Sequence, residues 1–279
     1  MRPFLFWGLP MICRFPPFAA LIAVLLLAPS LAWGQGAPVL RDLADAGSVR
    51  LQGQRLAKLY LQAGQNINGP AAMRLLGAAE GQIDGELGRL ERYSRQPGSQ
   101  RSYVRCAEIW QELRATLTQP YGTASAERVS QLAEELAIHA GRLVLQIESA
   151  AEGTAGRQVD GASRLNMLAQ RLGRLYMQVQ GGDRTQGLLV DMEQTRKEFA
   201  TGLAELESAP ANSPTSRERL ALARNQWIFF DAAVRQAAIR GGDAKAPLHV
   251  ATSSERIQEM LASVTTQYVQ DFAATGKAR

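Results

Sequence analysis

Beyond residue 38, apolar residues recur at three- and four-residue spacing, and no stretch alternates at period two. That spacing predicts helices throughout. The first, helix A, covers about 40–64 and is broken by the turn residues Asn66-Ile-Asn-Gly-Pro70. Helix B covers about 71–95, with Met73, Leu76, Ile83, Leu87 and Leu90 as its inner stripe, and Pro97-Gly98 ends it. Helix C covers about 100–118 around Trp110, a core anchor. Pro120-Tyr-Gly122 turns the chain into helix D, which starts from Ser125 as N-cap and has Val129, Leu132, Leu136, Leu143 and Ile147 inside.

The pattern then repeats. Asp45 to Gln62 returns, altered, as Gly161 to Gln178, so that Gln54-Arg55-Leu56 falls on Gln170-Arg171-Leu172 and Leu59-Tyr60 on Leu175-Tyr176, an offset of 116. The helix B stripe becomes Leu189, Met192, Phe199, Leu203 and Leu206. Helix C returns around Trp227, over about 216–240, at an offset of 117. For helix D, Ser125-Ala-Glu-Arg-Val129 aligns with Ser253-Ser-Glu-Arg-Ile257 at an offset of 128, the extra residues falling in the loop 240–247. Its inner stripe is then Ile257, Met260, Val264, Tyr268 and Phe272. Units of this length are duplicated domains rather than short solenoid repeats. The expected fold is all-α: two tandem antiparallel four-helix bundles, 38–152 and 157–275, following an N-terminal signal peptide.

The signal is read from residues 1–34. Arg2 and Arg14 precede the apolar run Ala19 to Ala28, no acid occurs before Asp42, and Ala32 and Gly34 have cleavage-site spacing. Cleaved, it leaves an exported, periplasmic protein; uncleaved, it is a membrane anchor. Met11 is an alternative start. Without Arg2 and Arg14, the 31 basic residues become 29 against 26 acidic ones. Those charges alternate along helices, which reads as solvated faces and not as a nucleic-acid patch. Cys13 leaves with the signal, and Cys106 remains on an apparent core face between Tyr103 and Trp110, buried and inert.

The sequence carries no enzyme signature. His139 and His249 form no metal-ligand pair, no Cys-x-x-Cys-His, Gly-x-Ser-x-Gly or phosphate loop occurs, and Glu134-Glu135 reads as solvated. No catalytic residue, metal or cofactor is expected. The start of helix A differs. Gly47, Arg50 and Gln54 share one helix face, with Arg55 and Lys58 on the same flank. Arg supplies a planar fork suited to an oxyanion, and a homodimer would bring two copies of Arg50 together around one. On spacing alone, solvated helix cations account for the same residues.

Ala46-Gly-Ser-Val-Arg-Leu-Gln-Gly-Gln-Arg-Leu56 resembles the P-box of the periplasmic sensor domain of NarX-type nitrate/nitrite sensor kinases. Together with Ala-Lys-Leu-Tyr60, it also resembles the N-terminal domain of type IV pilus methyl-accepting chemotaxis transducers, the PilJ-like family, to which Arg164-Leu-Asn-Met-Leu-Ala-Gln-Arg171 is the closer match. The resemblance implies helical-bundle sensory domains over nearly the whole exported chain. It implies nitrate or nitrite bound at a dimer interface, with Gly47 contributing backbone, Ser48 nearby, Arg50 as main ligand and Arg55 as the second motif arginine. Repeat 2 departs, since Ser163 replaces the glycine and Asn166 replaces Arg50. No membrane-crossing helix, kinase or methyl-accepting coiled coil follows the second repeat in this sequence. Signalling through a separate membrane sensor or transducer is therefore expected. The alternative is a helical scaffold or interaction protein whose P-box-like motif is packing.

Overall fold

The computed structural model describes residues 36–149, 151, 154–235 and 244–277; the segment 1–34 and much of the loop 240–247 lie outside them. The described residues form eight α-helices and no strand: α1 Gly36–Gly64, α2 Gly69–Arg89, α3 Gln100–Leu117, α4 Thr123–Glu148, α5 Ala155–Gln180, α6 Gln186–Glu207, α7 Pro214–Arg235 and α8 Ala246–Lys277. A 3₁₀ turn, Glu91–Arg95, extends the second. None is long and apolar enough to cross a membrane.

Helix ends follow local chemistry. Asn66 and Asn68 adopt left-handed backbone (φ 58° and 50°), which short polar side chains tolerate, and Pro70 sits in the first turn of α2, where its missing N–H costs nothing. Ser125 is not the N-cap of α4. The helix starts at Thr123, and the Ser125 hydroxyl accepts from the Gly122 N–H at 3.0 Å, a reciprocal contact from inside the first turn. Met73, placed in the α2 stripe, is 56% exposed; Ala72, Leu76, Ala79 and Ile83 face inward instead. Trp110 and Trp227 are both buried, the first donating to Asp84 at 2.8 Å, the second stacked on Phe199 with ring centroids 4.2 Å apart. Cys106 is fully buried, and burial pushes its thiol up to about 12, so it stays an inert thiol.

The organising helices are α1 and α5. α1 packs on α2 and α4, α5 on α6 and α8, and the most extensive helix pair of all is α1 with α5. Contacts of Gly47 with Ser163, Lys58 with Gln170 and Gln65 with Met177 advance together along both chains, so the two helices run parallel. α1 is therefore enclosed on all sides, with every residue from Val49 to Gln62 buried. Apolar residues all round are the usual composition of such a helix. Here Arg50, Gln52, Gln54, Arg55, Lys58 and Gln62 are inside as well.

Candidate functional site

The motif cations are not solvated. Arg50, Arg55 and Lys58 are 7%, 6% and 0% exposed. Buried charge is expensive unless it is paired and its donors are satisfied. The partners come from the second repeat. Arg50 donates to Asp160 at 2.6 Å and to the Ser163 hydroxyl at 3.1 Å, both on α5. Arg55 grips Glu255 of α8 through Nε and one terminal nitrogen, and its other terminal nitrogen donates to Gln82 at 3.2 Å. Lys58 donates to Gln170 at 2.7 Å, to Ser254 at 2.9 Å and to Glu255, which uses all three of its ammonium hydrogens. Burial alone raises the Glu255 carboxyl, but Lys58 and Arg55 outweigh it and hold the group at about 2.

The reverse contact has the same form. Arg174 of α5 donates to Gln54 of α1 at 2.8 Å, to Gln178 at 2.7 Å and to Glu134 of α4, and Arg171 joins on the same Glu134 at 2.9 Å. Burial lowers the Arg174 guanidinium to about 10, so it remains a cation at neutral pH. The two central glutamines are equivalent. Gln54 donates its amide to the Ala133 carbonyl and accepts from Arg174, and Gln170 donates to the Ser254 carbonyl and accepts from Lys58. Each repeat thus sends two cations from its first helix to a glutamate on the last helix of the other repeat. Gly47 and Ser163, themselves equivalent, touch where α1 and α5 cross.

This symmetry corrects two expectations. Glu134 is not a free solvated carboxylate; half-buried, it is shared by two arginines. The equivalent of Ala133-Glu134 is Ser254-Glu255, so helix D repeats at an offset of 121 and not 128. At 121, buried Val129, Leu136, Leu143 and Ile147 fall on buried Val250, Ile257, Val264 and Tyr268. The two offsets differ by seven residues, two helical turns, so the first half of the stripe stays apolar in either frame, but at 128 Leu143 and Ile147 would fall on Asp271 and Thr275.

The remaining motif residues are as follows. Gly47 has no room for a side chain, because a Cβ there would lie 2.4 Å from the Ser163 hydroxyl and 2.7 Å from its Cβ. Ser48 faces α2 and donates to Glu86 at 2.5 Å. It belongs to a polar ladder along the antiparallel α1–α2 seam that also pairs Asp45 with Arg89 and Gln52 with Gln82. Gly47, Arg50 and Arg55 share the cross-repeat side, whereas Ser48 points elsewhere. Two motif atoms are buried without a partner, the Nε of Arg50 and the Oε1 of Gln52. Asp160, Glu255 and Glu86 lie outside the motif and have no signal in it, while Glu134 is visible only as one of an adjacent glutamate pair; a helix D offset of 121 sets Glu134 and Glu255 in equivalent positions. Among the described residues no cluster of His, Cys, Asp and Glu could hold a metal ion. No family model, curated protein or solved structure matches the chain.

The close crossing yields a direct expectation. Gly47→Ala gains helix propensity of up to about 1 kcal/mol, yet it forces α1 and α5 apart, and such overpacking costs about 1–3 kcal/mol. A net loss of about 1 kcal/mol or more is expected in urea denaturation. Adding Ser163→Gly removes the clash but also the hydroxyl that accepts from Arg50, so the two changes together should cost less than the sum of the two measured singly; a Gly47→Ala protein as stable as the parent would show that the crossing is not tight.

Proposed function

We propose that this chain is an exported, non-catalytic helical module of sensor-domain type, working through contact with a separate membrane-bound transducer, in which the P-box-like motif joins the two repeats. In this reading the tandem four-helix repeats stand in for the two subunits of a dimeric sensor, and α5 takes the place that a second α1 would occupy. The observation that carries it is that Arg50, Arg55 and Lys58 each bond to a carboxylate of the other repeat. Each motif cation is therefore paired within the chain, the three of them on the two carboxylates of Asp160 and Glu255.

A second reading, a receptor for a small oxyanion such as nitrate or nitrite, is favoured by the partnerless Nε of Arg50 beside Gly47. It requires Asp160 to leave Arg50 for bidentate binding, because a carboxylate already occupies Nη2, the terminal nitrogen that both forks of the guanidinium share. Thermal unfolding in nitrate, nitrite, sulfate and chloride separates the two. The first reading expects no anion-specific shift, and an Arg50→Ala loss of stability that is the same with and without anion. A ligand that binds only the folded state adds about 2.7 kcal/mol at a hundred times its dissociation constant. A shift of that kind for nitrate or nitrite, abolished by Arg50→Ala and enlarged by Asp160→Asn, would install the receptor reading.

A further inference from the structure

The α1–α2 seam of repeat 1 buries polar groups that its counterpart in repeat 2 does without. Ser48 and Gln52, one turn apart on α1, meet Glu86 and Gln82, one turn apart on α2. Gln52 and Glu86 are 1% and 7% exposed. At the offset of 116, which sets Leu76, Ile83, Leu87 and Leu90 on the likewise buried Met192, Phe199, Leu203 and Leu206, Glu86 falls on Gly202 and Gln52 on Leu168. Leu165 packs on Gly202 so closely that a Cβ there would lie 2.9 Å from it. The charged pair on that seam joins Glu198 to an exposed Arg164. The fold thus closes at this place without a buried carboxyl.

Repeat 1 keeps one nevertheless, and its surroundings do not suit an anion. Ser48 donates to Oε1 of Glu86, but Oε2 is buried with no donor, as is the Oε1 of Gln52 one turn along the seam. No cation among the described residues pairs with Glu86. On α1, Asp45 adds a like charge, and Arg55 is taken by Glu255 and Gln82. On α2, Arg89 is taken by both oxygens of Asp45. Arg92 of the 3₁₀ turn pairs with Asp42, and α3 brings Arg114 to Asp84 and the Tyr103 hydroxyl to the Leu87 carbonyl. A neutral acid needs no counter-ion, and its O–H is the donor that this part of the seam lacks. We infer that Glu86 is a proton-operated latch between α1 and α2. The seam is closed while the carboxyl keeps its proton. When the proton passes to water, the end of α2 that carries the carboxylate draws away from α1 to hydrate it, and uncovers Ser48 and Gln52 of the P-box-like motif. A buried carboxylate without a partner has to find one in solvent. Glu86 lies three residues before the end of α2 at Arg89, and α2 packs mainly on α1 with its outer face in water, so a local displacement suffices. Burial pushes the carboxyl up to about 8, which sets the opening in mildly alkaline solution.

Two readouts on the exported chain, beginning at Gln35, test the latch between pH 6 and pH 9. The first is infrared difference spectroscopy of the parent against Glu86→Gln. The carbonyl band of a protonated carboxylic acid is expected in the parent at pH 6, lost with a midpoint near pH 8, and missing from the variant. The second is the distance between spin labels on Gly88→Cys of α2 and Leu145→Cys of α4. Position 88 has open space around it, Leu145 is exposed, and the buried Cys106 thiol does not compete for label. The label distance should lengthen with the same midpoint in the parent and stay fixed at its pH 6 value in Glu86→Gln. Absence of the acid band at pH 6 overturns the inference. So does a band that titrates while the labels stay put, which would leave Glu86 a buried acid with no moving part, or a displacement of the labels that Glu86→Gln shows equally.

Discussion

Glu255→Gln is expected to cost about 3–5 kcal/mol of stability, because it leaves the fully buried Lys58 ammonium and the Arg55 guanidinium without their carboxylate. Removing one partner of a buried pair is far costlier than the pair is stabilising, since the survivor is left desolvated; burial already lowers the Lys58 ammonium and Glu255 is what chiefly opposes it, so without Glu255 the lysine either stays charged at a cost or gives up its proton. The protein has a built-in comparison. Glu134 performs the equivalent task for Arg171 and Arg174, but it is itself 36% exposed at its side chain and water can take over part of its role. Glu134→Gln should therefore cost less than Glu255→Gln. Adding Lys58→Met to Glu255→Gln should recover part of the loss, since the buried charge disappears while Arg55 keeps its bond to Gln82. Urea denaturation of the four proteins measures this. Losses below about 1 kcal/mol for Glu255→Gln, or an equal loss at Glu134, would contradict the network as the joint between the repeats.

The joint was partly legible in sequence. The duplicated Gln-Arg-Leu and Leu-Tyr segments placed α1 and α5 in equivalent roles, and helix periodicity placed Trp110, Trp227 and most of the core. Burial of the cations was not legible, because a helix that carries Arg50, Gln54, Arg55 and Lys58 has the composition of a solvated one. What makes burial tolerable lies 110 to 200 residues away, in Asp160 and Glu255. No local pattern contains that information. Helix D differs for another reason: a whole-heptad slip keeps the Ser-x-Glu-Arg start and the first apolar positions in phase, and the true frame shows only at the far end, where 128 sets Leu143 and Ile147 on Asp271 and Thr275, and in the paired roles of Gln54 and Gln170. Met73 and Ser125 show the same local limit: Ala72 takes the inward position beside Met73, and Gly122, three residues before Ser125, is the N-cap of α4.

Glu86 sets the protein's response to alkali. It is 7% exposed, it accepts from Ser48, and its second oxygen is buried without a partner. Burial pushes the carboxyl up to about 8; the Ser48 bond opposes this, Asp45 adds to it, and Arg89 and Arg55 pull the other way without reversing it. The folded protein therefore holds this proton up to about pH 8, whereas the unfolded chain releases it near its ordinary value of 4.5. Between those limits the folded state binds more protons, so stability falls as pH rises and levels off above 8. Glu255 works in the opposite sense: its carboxyl is depressed to about 2, and its contribution, full above 4.5, is lost as pH falls from there towards 2. The two together place the stability maximum near pH 4.5–5. Glu86→Gln keeps an acceptor for Ser48 and removes the ionisation. Its stability relative to the parent should be small at pH 5 and grow to several kcal/mol at pH 8, with a ceiling of about 4–5 kcal/mol set by the size of the shift. Denaturation curves of the two proteins at both pH values decide it; if the difference between them is the same at pH 5 and pH 8, Glu86 is not the buried proton holder that its surroundings on the α1–α2 seam make it.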